Sequence, residues 1–95
     1  MTIASKYVKV TTDDGAVIEC YYDGEDKLHR EDGPASIERK TDGSLVEAFY
    51  RHGQLFRSDA PTPVIVKHNG RTGTITNSYA RDGKVFRAEI VFPRP

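Results

Sequence analysis

Ninety-five residues amount to one ordinary domain with a thin core, because a chain this short buries only part of what its unfolded form exposes. Hydrophobic residues at 37% against 29% charged, with no Trp, fit a single sheet with one wet face better than a sandwich filled from both sides. A net charge of zero, from 14 basic and 14 acidic side chains, excludes long-range attraction of the whole chain to nucleic acid or anionic lipid. The single cysteine, Cys20, excludes an internal disulfide framework and fits a reducing compartment.

The opening Met1 to Lys6 has neither the basic lead nor the apolar run of a secretory signal, and no stretch approaches transmembrane length, so a cytoplasmic location without membrane contact is expected. From there a ladder of turn dipeptides organises the chain: Asp14-Gly15, Asp23-Gly24, Asp32-Gly33, Asp42-Gly43 and His52-Gly53, each 9 or 10 residues after the last. Asn69-Gly70 and Asp82-Gly83 extend it less evenly. Asp-Gly supplies the positive φ of tight hairpins, so this spacing sets strand length. Strands are predicted at 5–12, 16–23, 35–41, 44–51, 63–68, 73–80 and 84–92. Nowhere do apolar residues recur at helical spacing long enough for a helix.

The turns align into a repeat. A shift of 30 places Gly43-Ser44-Leu45 on Gly73-Thr74-Ile75, Phe49 on Tyr79, Arg51 on Arg81 and Leu55-Phe56-Arg57 on Val85-Phe86-Arg87. A shift of 28 places Val17-Ile18-Glu19 on Leu45-Val46-Glu47 and Tyr21-Tyr22 on Phe49-Tyr50. The connecting segment repeats as well, Leu28 to Ala35 matching Leu55 to Thr62. In it Pro34 and Pro61, lacking an amide donor, open a strand, while Arg30 with Asp32, and Arg57 with Asp59, are spaced to clamp the turn. One domain, 1–95, thus contains three degenerate β-hairpin repeats, roughly 7–33, 34–62 and 63–92. The predicted fold is all-β, an antiparallel meander of about seven strands forming largely one curved sheet.

Tyr22-Asp23-Gly24, the run Leu28-His29-Arg30-Glu31-Asp32-Gly33-Pro34-Ala35, and Asp42-Gly43 together resemble the degenerate MORN-like repeat of bacterial and viral proteins. The resemblance implies a repeated β-sheet used for binding. Because such repeats also occur in antitoxin-like proteins, it further implies that a toxin enzyme is the sort of target masked.

Catalytic chemistry finds little support. His29, His52, His68 and Cys20 are scattered, each in or beside a different turn. His29 and His52 converge only if neighbouring hairpins stack, and capping of turns or solvent exposure is the simpler role, so no metal is expected. Cys20 beside Tyr21-Tyr22 reads as a small half-buried hydrophobe. Asn69-Gly70-Arg71-Thr72-Gly73 lacks the helix and the Lys-Ser/Thr of a phosphate loop, and reads as a hairpin insertion. Glu25-Asp26 and Glu31-Asp32 lie in exposed turns where nothing raises a carboxyl pKa. No enzyme activity and no cofactor are expected.

The remaining signal is a repeated pairing of arginine with aromatics. Tyr22, Tyr50, Arg51, Phe56, Arg57 and Arg81 are the expected partner-binding residues, since arginine and aromatics dominate binding hot spots. The expected partner is a protein or protein complex that the module covers and inhibits, as an antitoxin or as a phage counter-defence protein of anti-CRISPR type. Single-stranded nucleic acid is the alternative, because arginine with interleaved aromatics on a sheet also holds bases. Free sheet edges add a third reading, self-association into a homodimer. Charge distribution bears on all three: residues 1–47 carry six Lys/Arg against eleven Asp/Glu, a balance of −5, and residues 48–95 carry eight against three, a balance of +5.

Overall fold

A computed structural model describes residues 6–57 and 62–93. Among the described residues nine strands form in chain order: β1 (Lys6–Thr11), β2 (Val17–Tyr22), β3 (Ser36–Arg39), β4 (Leu45–Ala48), β5 (Tyr50–Arg51), β6 (Gln54–Leu55), β7 (Ile65–His68), β8 (Ile75–Arg81) and β9 (Lys84–Val91). Seven of them make one antiparallel sheet in the order β1-β2-β3-β4-β7-β8-β9, and β5 with β6 makes a separate two-stranded ribbon. The fold is therefore all-β and the sheet a meander, as the turn spacing implies.

Turn chemistry explains why the strands end where they do. Gly15, Gly43, Gly53 and Gly83 all take positive φ, and His52 and Asp82 join them there, giving two tight hairpins with both central residues left-handed. The other three predicted glycines, Gly24, Gly33 and Gly70, do not act this way: none takes positive φ, Gly73 does so in place of Gly70, and Asp26 bears the left-handed conformation in the turn that follows β2. Asp23 holds that turn instead, its carboxylate accepting from the amides of Glu25 at 2.8 Å and Lys27 at 3.0 Å.

The predicted strand at 44–51 is broken. Phe49 belongs to neither β4 nor β5, and it marks where the chain leaves the main sheet: its amide donates to Val64 at 2.7 Å while its carbonyl accepts from Phe56 at 3.1 Å. The short hairpin beyond it stacks on equivalents from the adjoining repeats. Gly53 donates to the Leu28 carbonyl at 2.8 Å, Tyr22 bridges to Leu28, and Leu55 bridges to Gly83. A second tier of turns thus runs along the sheet; of its two-residue middle strands, β5 forms the end of the predicted 44–51 strand and β6 was not predicted.

In the first repeat the chain detours after this tier, through Arg30 to Pro34, before pairing as β3, and the link from Arg57 to β7 corresponds to it in sequence. In the third repeat the chain omits the detour. Arg87 pairs at once with Tyr79, and one extra residue, Phe86, is absorbed as a bulge because the next pair is Ala80 with Val85. Arg30 clamps its detour as predicted, to Asp32 at 3.0 Å and to the Pro34 carbonyl at 3.3 Å. Arg57 reaches the Pro63 carbonyl at 3.0 Å; Asp59 and Pro61 lie outside the described residues. Among the described residues the apolar core is thin: Ala35, Ala48 and Val64 sit at the junction between the sheet and the second tier, Ile37 lies within β3, and Ala16 closes the turn before β2.

Candidate binding surface

Each repeat places an aromatic residue at the strand end and an arginine from the following segment over its ring. Arg30 covers Tyr21 at 4.0 Å, Arg57 covers Phe49 at 4.0 Å, and Arg87 covers Tyr79 at 4.3 Å. A second pairing is one step further out, with Arg51 over Phe56 at 4.9 Å and Arg81 over Phe86 at 4.5 Å. These distances lie within cation–π range. Ten residues from three repeats therefore form one ledge of alternating guanidinium and ring.

Two adjoining clefts open along this ledge. The first, of roughly 370 Å³, is lined by Arg30, Glu31, Asp32, Phe49, Arg51, Phe56 and Arg57. The second, of roughly 520 Å³, is lined by Phe56, Arg57, Val64, Tyr79, Arg81, Asp82 and Phe86 among others. Phe56 and Arg57 form the wall between them. Four of the predicted contact residues, Arg51, Phe56, Arg57 and Arg81, are thus brought together. Tyr22 and Tyr50 are elsewhere: Tyr22 ends β2 with the Lys6 ammonium 5.6 Å from its ring, and Tyr50 is half-buried in β5, its carbonyl accepting from the Arg30 amide at 3.2 Å. Arg30 and Phe49 belong to the repeat in sequence but were not assigned to the surface. Their signal was present in the spacing of arginine after aromatic.

The clefts are of mixed charge. Arg30 is paired with Asp32, and Glu31 stands 4.0 Å from Arg51 with one oxygen buried and unpartnered. Arg81 and Arg87 have no ion-pair partner among the described residues. Strand order follows chain order, so the acidic first half and the basic second half lie at opposite ends of the sheet.

The first repeat departs from this pattern in a revealing way. Where later repeats carry Arg51 with Phe56 and Arg81 with Phe86, it carries Asp23 and His29. His29 is the largest fully buried side chain, 1% exposed, and its Nδ1 accepts the His52 amide at 3.1 Å. The rings of His29 and His52 stack 4.1 Å apart, and His52 Nδ1 meets Asp23 Oδ2 at 2.7 Å. Solvent exposure of His29 is thereby corrected: stacking of the turns drives it inside, and it holds the neighbouring hairpin. Backbone donation from Lys27, then the His52 ring, holds the Asp23 carboxyl down at about 2. Among the described residues no three His, Cys, Asp or Glu side chains are grouped to hold a metal ion. Nor is any helix long and apolar enough to cross a membrane.

Comparison with known proteins returns no match to a family model, to a curated protein or to a solved structure.

Proposed function

We propose that the chain is a non-enzymatic protein-binding module whose arginine–aromatic ledge covers and inhibits a macromolecular target. The observation that carries this reading is the pair of repeat-related clefts meeting at Phe56 and Arg57. Rings that are half exposed, stiffened by guanidinium groups lying on them, offer contact area at little entropic cost. Glu31, Asp32 and Asp82 line the same clefts, so the surface complements a protein carrying both signs of charge and opposes a uniform row of phosphates. The MORN-like resemblance supports the same reading. In a cell the target would be a toxin enzyme, or a bacterial immune complex blocked by an anti-CRISPR-like protein, with the cytoplasm as the place of action.

A single-stranded nucleic acid partner is favoured by one feature alone, the pairs Arg81–Phe86 and Arg87–Tyr79 at the basic end. Affinity capture from host lysate, with and without nuclease treatment, separates the two. The proposal expects one stoichiometric protein, retained by the unaltered chain and reduced more than about ten-fold by the double variant Arg51→Ala/Arg81→Ala. Captured nucleic acid, released steeply by salt, would favour the alternative.

A further inference from the structure

Of the eight large hydrophobic residues exposed among those described, five belong to β9 or follow it directly: Val85, Phe86, Ile90, Val91 and Phe92. All eight residues of β9 are exposed, and no described strand pairs with its outer side. An exposed, apolar edge strand of this length is a template for another strand. The order of residues along it says which one.

Around Ala88 the strand reads Phe86-Arg87-Ala88-Glu89-Ile90, apolar, positive, small, negative, apolar. Two such strands pairing antiparallel about a two-fold axis at Ala88 set each Arg87 opposite the partner's Glu89, and each Phe86 opposite the partner's Ile90. Registers two residues either way fail: one opposes Arg87 to Arg87 and the other Glu89 to Glu89, and like charges directly opposite are destabilising. A shift by one residue cannot form the ladder, because only alternate residues present amide and carbonyl to the edge. The chain's own hydrogen bonding identifies them. Asn69 donates to the Thr74 carbonyl at 2.8 Å, and alternation from there turns Ile75, Asn77 and Tyr79 towards β9. Their partners Val91, Glu89 and Arg87 therefore bond inward, leaving Ala88 and Ile90 to offer their backbone groups outward.

We infer that β9 is a homodimerisation edge, joining two copies antiparallel about Ala88 into one continuous sheet of fourteen strands, twice the seven of one copy. A two-fold axis normal to the sheet keeps corresponding faces aligned, as in closed isologous dimers. The other edge is less suited. β1 runs in the same direction as β9 across a seven-stranded meander, so copies stacked with faces aligned would join β1 to β9 in parallel and propagate without closure. Lys6 and Lys9 also place two like charges along β1. Phe86 is 54% exposed and Ile90 57%, and the dimer would cover both.

Sedimentation equilibrium on the full chain tests this inference, with far-UV circular dichroism to confirm that each variant is folded. The unaltered chain is expected at twice its mass of 10.6 kDa. Arg87→Glu and Glu89→Arg, each alone, place like charges opposite one another and should weaken association at least about ten-fold. Combined as Arg87→Glu/Glu89→Arg they restore two opposite-charge pairs, and dimerisation should return. A monomer at roughly 0.1 mM, which leaves at best a weak encounter, would overturn the inference. So would single variants that still dimerise, a double variant that does not recover, or an open-ended oligomer.

Discussion

At the scale of single residues, His29 is the side chain on which most depends. It fills the slot held by phenylalanine in the other repeats, yet its ring nitrogen also receives the amide of His52. His29→Ala is expected to cost about 2–4 kcal/mol, combining a cavity with an orphaned amide, read as a lowered urea midpoint. His29→Phe should cost less than His29→Ala, because it refills the volume and removes the buried, unpartnered Nε2, though the His52 amide stays unpaired. Asp23 is the other sensitive position. Its carboxyl titrates at about 2 in the fold against an ordinary 3.8, so the folded state holds its proton more weakly than the unfolded chain. Its stabilisation is complete above about pH 4 and drains away as pH falls towards 2. Asp23→Asn should remove that segment of the acid-unfolding profile, as followed by circular dichroism across pH.

At the scale of elements, the seven strands of the main sheet and their order were legible because Asp-Gly steps mark hairpins at near-fixed intervals. The break at Phe49 was not: Ala48, Phe49 and Tyr50 continue the strand-like run, and only the diverging bonds of Phe49 to Val64 and Phe56 show the chain changing sheets. The meeting of His29 with His52 was hidden for a similar reason. Twenty-three residues separate them, and their contact exists only once two tiers of turns have stacked. Gly70 illustrates the same dependence. It was read as part of an inserted hairpin loop, and it is, but a Cβ there would collide with the backbone of Asp42 and Gly43 in the neighbouring turn. Gly70→Ala should therefore destabilise by about 1–3 kcal/mol, measured by thermal unfolding, since main-chain atoms have nowhere to move.

At the scale of the whole molecule, Cα extents of 45 × 34 × 18 Å describe a slab. Its 6438 Å² of accessible surface exceeds the roughly 5,500 Å² of an average monomer of this mass. This surplus surface, with five buried apolar residues among those described, suits the proposed covering of a partner. The repeat translates one arginine–aromatic pairing along the sheet, and the candidate site residues legible in the sequence, Arg51, Phe56, Arg57 and Arg81, are those that follow the translation. Tyr22 and Tyr50 follow the repeat too, but Tyr22 ends β2 beside Lys6 and Tyr50 lies half-buried in the two-residue β5, so their rings stand beside the ledge.

Phe56, exposed on the wall shared by both clefts, allows the most direct test. A benzophenone amino acid can replace Phe56 in one experiment and Val10, exposed on β1, in another, with irradiation in host cells. Binding through the ledge predicts one protein adduct from position 56, destroyed by protease and untouched by nuclease, and none from position 10. A nuclease-sensitive adduct at 56, or protein adducts arising only from position 10, would contradict it.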